Sequence, residues 1–202
     1  MTNAMPNVLV LSLCLAVAAC KDSAPPPVVP ESRPVVAAPS PAQVLTPSEI
    51  SALKLALDSE GLRVFNTVSG ASRLLPFGMS RPELVKAVST AQKAPPLLQG
   101  DNIACRAAYA SWPSGLTVLF ARDRFAGWSA LHADPSLATA SGIGVGSTRA
   151  ELEGAYTILV TASSPGSQFT AGGLAGLLDS TRPDARVSAL WAGMSCNTEQ
   201  GA

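Results

Sequence analysis

Gly78-Met79-Ser80-Arg81-Pro82-Glu83-Leu84 returns later in the chain as Gly146-Ser147-Thr148-Arg149-Ala150-Glu151-Leu152. Each copy places Ser or Thr ahead of a helix-forming run and Glu three residues on. That is the pattern of a capping box, in which the hydroxyl accepts from a free N–H of the first turn while the carboxylate reaches back to the cap. The same helix start is used twice. After the first copy come Gly115–Phe120 and Arg124–Trp128, two strand-like runs joined at Arg122-Asp123. After the second come Gly173–Leu178 and Ala185–Trp191, joined by the longer Ser180–Asp184 segment. Each copy therefore reads as a helix followed by antiparallel strands.

Upstream of the repeat, Thr46-Pro47-Ser48-Glu49 is another capping box with proline at the first helical position. Ile50, Leu53 and Leu57 then fall on one helical stripe that predicts an amphipathic helix stopping at Gly61. Leu62–Phe65 and Arg73–Phe77 are expected as short strands about the Ser69-Gly70 turn. The expected fold class is α+β: two related helix plus antiparallel-sheet units, preceded by a short helix and hairpin. It occupies residues 46–202 as a single domain, with the repeat at about 72–132 and 140–196.

Ahead of this domain the chain changes character. Val8–Ala19 is an apolar run too short to span a bilayer as a helix but of the length of a signal-peptide core. It ends in Val17-Ala18-Ala19-Cys20, which resembles the lipobox of bacterial lipoproteins. The resemblance implies removal of residues 1–19, lipidation of Cys20 and anchoring to a membrane by acyl chains, each buried methylene contributing about 0.8 kcal/mol. Met1–Asn7 carry no Lys or Arg, where signal peptides have a positive segment. Residues 20–45 hold the cysteine and a tether rich in proline, from Pro25 to Pro41. Such a segment favours extended polyproline conformations and reaches on the order of 70 Å at about 3.1 Å per residue. By resemblance to Gram-negative lipoproteins, Lys21 after the cysteine implies the outer membrane, with the domain facing the periplasm.

Charge narrows the partners. The 202 residues include 14 basic and 14 acidic side chains, a formal net charge of zero, so no basic field exists for nucleic acid to follow. The expected partners are the membrane, through the anchor, and an envelope protein. Of the four cysteines, Cys14 lies in the signal and Cys20 in the lipobox. Cys105 and Cys196 remain, and an oxidising periplasm predicts that they join.

The helix starts, with the sheet that bears a Cys, a Trp and a Gly-Leu strand, resemble the β-lactamase-inhibitor-protein-like superfamily across about residues 72–196. In its tandem-repeat members a concave aromatic-bearing sheet grips an enzyme. That resemblance makes Tyr109, Trp112, Trp128 and Trp191 candidate binding residues, although tryptophan is also an ordinary core residue.

Little points to catalysis. His132 is the single histidine, set before Ala133-Asp134-Pro135, and a surface turn accounts for it. No Gly-x-Ser-x-Gly elbow is present, and Gly142–Thr148 lacks the lysine of a phosphate-binding loop. Neither CxxC nor HxxxH spacing occurs, so no metal and no cofactor is expected. The expectation is a non-catalytic, lipid-anchored binding or scaffold module of the cell envelope. The alternatives are an inhibitor of a periplasmic or cell-wall enzyme and an envelope glycan or lipid hydrolase using paired carboxylates.

Overall fold

The computed structural model describes residues 46–163 and 166–196, all within one compact unit, Gln43–Ala202. The signal segment 1–19, Cys20 and the tether to residue 45 lie outside the described residues.

The first capping box forms as expected. Thr46 accepts from the Glu49 N–H, and the Glu49 carboxylate accepts from the Thr46 N–H at 2.8 Å. Helix α1 is only Pro47–Ser51, however, and the predicted stripe does not continue as a helix. Leu53–Asp58 is strand β1. The reason lies in its neighbours: Leu55, Ala56 and Leu57 are buried in succession, which a strand covered on both faces permits and a helix with one buried stripe does not. The Leu57 N–H donates to the Ala138 carbonyl at 2.9 Å, and Trp128 Nε1 donates to the Asp58 carbonyl at 2.9 Å. Gly61 begins the next strand rather than ending a helix. At its φ of 149° a Cβ would lie 2.1 Å from the Leu75 carbonyl oxygen, so no other residue fits.

Strands β2 (Gly61–Asn66) and β3 (Ser72–Pro76) complete a three-stranded antiparallel sheet. Its register aligns Leu57, Leu62 and Leu75 in a buried row. The turn between β2 and β3 is held by the Asn66 side chain, which accepts from the Val68 and Ser69 N–H groups.

Helix α2 (Arg81–Gln92) buries Leu84, Val88 and Ala91, a spacing of four and three residues that makes one face. It is followed by β4 (Leu98–Asn102), β5 (Ala107–Ser111), β6 (Leu116–Ala121) and β7 (Arg124–Ala130). Helix α3 (Arg149–Ala155) is followed by β8 (Leu159–Ser163), β9 (Gly166–Ala171), β10 (Leu174–Leu178) and β11 (Val187–Gly193). All eight strands form one antiparallel sheet in the order β4-β5-β6-β7-β11-β10-β9-β8. The two last strands, β7 and β11, pair at its centre, from Leu190 opposite Ala130 to Gly193 opposite Gly127.

This arrangement corrects the expected α+β class. Strand accounts for 44% of the structure and helix for 16%, and the three helices have 5, 12 and 7 residues, so the chain is mostly antiparallel β. The chain does not form two helix-plus-sheet units, because the β7–β11 ladder merges the strands into one sheet. Four of the strands have weak sequence patterns. β4 and β5 read as Leu-Gln-Gly-Asp-Asn and Ala-Ala-Tyr-Ala-Ser, β8 and β9 as Leu-Val-Thr-Ala-Ser and Gly-Ser-Gln-Phe-Thr-Ala. Their pairing to stronger neighbours supplies what their own propensity does not.

Alternation sorts the sheet into two faces. Ala110, Leu116, Val118, Phe120, Phe125, Trp128, Ala130, Phe169, Leu174, Leu190 and Ala192 point to one side, where they join Leu84, Val88 and Leu152 of the helices and Leu55, Leu57, Leu62 and Leu75 of the small sheet in a single core. Among the described residues no helix is long and apolar enough to cross a membrane.

Candidate functional site

The other face of the large sheet is the candidate site. Register places Leu98, Ser111, Thr117, Ser129, Trp191, Ala175, Thr170 and Leu159 in one row across all eight strands. At about 4.8 Å between strands the row is on the order of 34 Å long. Leu98 and Leu159 at its two ends are 59% and 70% exposed, while Ser111, Thr117 and Ser129 are half-buried. The Ser111 and Thr117 hydroxyls share a hydrogen bond of 2.8 Å. Small side chains, Ser129 and Ala175, thus flank the Trp191 ring, and hydroxyls stand in the row on either side of it.

A second row beside it runs Gly100, Tyr109, Leu119, Gly127 and Gly193. Here glycine has a structural use. A Cβ on Gly100 would lie 3.2 Å from the Tyr109 ring, so the ring lies against the bare backbone of the neighbouring strand. A Cβ on Gly127 would lie 2.0 Å from the Met194 carbonyl oxygen. Only glycine lets the chain leaving β11 pass that close. The Met194 N–H donates to the Ala126 carbonyl at 2.8 Å, and the segment then reaches Cys196.

Cys196 is joined to Cys105 by a disulfide, with the Cα atoms 5.7 Å apart and the two cysteines separated by 91 positions in sequence. The bridge ties the segment after β11 to the β4–β5 hairpin, as the cysteine count predicted. The tethered segment starts across the open face, over Gly127.

The expected aromatic surface needs correction. Trp112 is 2% exposed and Trp128 is 0%, and both belong to the core. Their indole nitrogens donate inward, Trp112 to the Ser89 hydroxyl at 3.3 Å and Trp128 to the Asp58 carbonyl. Trp191 is also buried, at 4%, though it stands in the row of the open face and outside the core cluster. Tyr109 alone of the four is partly exposed. Helix α2 receives the Trp112 indole and strand β1 that of Trp128, which makes both packing residues here. The hydroxyl row of Ser111, Thr117, Ser129 and Thr170 was not singled out from sequence. Its signal is the alternation of hydroxyl and apolar residues in Leu-Thr-Val and Trp-Ser-Ala.

The charged groups are mostly occupied locally. Glu151 closes the capping box of α3, accepting from the Thr148 N–H at 2.7 Å, and that bond holds its carboxyl below the usual range. Glu49 is lowered by the same bond to Thr46, and Asp184 by its contact with the Arg182 guanidinium. Asp58 pairs with Arg63 at 2.9 Å, and Glu153 with Arg149 at 2.7 Å. His132 is exposed and lies against Gly115. Gly142–Thr148 forms the turn into α3, where the Gly146 N–H donates to the Val187 carbonyl at 2.7 Å. Among the described residues no three metal-ligating side chains converge.

Comparison with protein families, with curated proteins and with solved structures finds no match to this chain.

Proposed function

We propose that the protein is a lipid-anchored module of a bacterial envelope that binds another envelope protein through the open face of its large sheet. The reading rests on a conjunction: a lipobox-like Val17–Cys20 and a proline-rich tether precede a domain whose eight-stranded sheet packs one face on the core and carries a row of partly exposed side chains on the other. A broad, shallow strip with partly exposed Tyr109 and exposed Leu98 and Leu159 at its ends suits a protein surface better than a small molecule. The disulfide accords with an oxidising compartment. Outer-membrane attachment facing the periplasm is part of the same proposal, carried by Lys21.

Two measurements test it in the native host. Metabolic labelling with palmitate should mark the wild type and leave Cys20→Ser unlabelled; equal labelling, or none, removes the anchor. In-cell crosslinking of the anchored protein should trap one envelope protein, and a Thr117→Lys, Thr170→Lys pair, which adds charge to the open face and spares the core, should lose it. Retention of the same crosslink in that variant excludes this face.

A further inference from the structure

A cleft of about 330 Å3 opens between the end of α2, strand β1, the β5–β6 turn and the turn at Asp134–Ser136. Three independent features meet in it. Gln92, the last residue of α2, accepts from the Ser114 hydroxyl through Oε1 at 2.7 Å, while its Nε2 is buried without a hydrogen-bond partner, alone in this among the described residues. Turning the amide over moves the orphan from nitrogen to oxygen without removing it. Lys93, next in the chain, holds a left-handed backbone at φ 58° that glycine ordinarily takes at a helix end. Its ammonium donates to the Ser51 carbonyl at 3.1 Å, keeping the charge at the cleft. Lys54 is a second lysine in the lining.

Both features at the end of α2 are unfavourable to the fold itself. An unmet buried amide and a strained non-glycine cap persist where something besides stability retains them. The far wall carries Asp134, whose Oδ1 is taken up by the Ser136 N–H and hydroxyl, so the cleft has two cations against one carboxylate. Leu53 adds an apolar wall. We infer that this cleft binds a small carboxylate, of the kind that ends a short peptide, its oxygens held by Lys54 and Lys93 and by Gln92 Nε2 once the amide turns outward. Lys54 and Lys93 attract the anion, and the amide selects an acceptor oxygen.

The probes are N-acetyl-alanyl-alanine, its C-terminal amide and inorganic phosphate, titrated into the full chain with NMR detection of the Gln92 side-chain amide. The free acid should shift that signal saturably, and the amide and phosphate should bind at least about tenfold more weakly. Lys93→Gly removes the left-handed lysine and should raise the unfolding midpoint while weakening the acid about tenfold or more, and Gln92→Met, which removes the amide together with the acceptor of the Ser114 hydroxyl, should weaken the acid as much. No saturable shift with wild type, equal binding of the amide or of phosphate, or a folded variant of either kind that still binds the acid as wild type does would each overturn the assignment.

Discussion

Arg124 and Arg186 hold the same position in the two copies of the repeat. Arg124 lies opposite Ser80 in an isolated antiparallel bridge, and Arg186 lies opposite Thr148 in another. Each sends a guanidinium nitrogen to the glycine carbonyl that precedes the helix start, Arg124 to Gly78 at 3.4 Å and Arg186 to Gly146 at 2.8 Å. The backbone repeats the match: Gly78 and Gly146 donate to Phe125 and Val187, and Arg81 and Arg149 to Asp123 and Ala185. The helix start is thus stitched to the first residues of β7 or β11 in both copies, but the caps differ. The Thr148 hydroxyl accepts from the Glu151 N–H, whereas Ser80 makes no such bond and turns its hydroxyl to the Glu83 carboxylate.

Thr148→Ala should therefore lower stability by about 1 kcal/mol, the usual cost of a lost cap, and Ser80→Ala by only a few tenths. Urea unfolding with an unchanged denaturant slope measures both. Equal losses would mean that the two starts are capped alike.

Acid should act on the same box. The folded-state carboxyl of Glu151 is lowered from its ordinary value of 4.5, so its contribution is present above that value and is lost as pH falls through the folded one. Glu151→Gln should flatten the fall of stability on that acid side and leave the neutral-to-basic side parallel to wild type. A series of unfolding midpoints across pH reads this directly, and an unchanged acid limb contradicts it.

Reduction of Cys105–Cys196 releases a loop of 91 residues in sequence, for which the chain-entropy model gives about 4 to 5 kcal/mol. Oxidised protein should unfold at much higher denaturant than reduced protein or a Cys105→Ser, Cys196→Ser pair. Gly127→Ala, by pushing the Met194 backbone off the sheet, should slow formation of the bridge, measured by thiol trapping during refolding.

The aromatic residues should separate into two groups. Trp128→Ala removes a fully buried ring and leaves the Asp58 carbonyl without its donor, costing about 3 to 5 kcal/mol. Tyr109→Ala, half-exposed at the open face, should cost distinctly less. If Tyr109→Ala proved the more destabilising, the assignment of the two sheet faces would be wrong.

Local chemistry is what the sequence alone determined. Thr46, Thr148 and their glutamates mark helix starts because capping is settled within four residues, and the polar Arg122-Asp123 pair between two apolar runs marks a hairpin turn, which the structure closes with both residues at positive φ, 50° and 60°. The cysteine pair was legible by counting. Tertiary structure decided the rest. Leu53–Asp58 satisfies a helical stripe as well as a strand, and became β1 because the carbonyl of Ala138 and layers on both faces were there to receive it. Trp128 faces the core and Trp191 the other side because sheet faces are assigned by register, and register comes from pairing with strands up to dozens of residues away. Whether two sets of strands form two sheets or one depends on the contact of β7 with β11, an energy of association between distant segments that no local pattern records.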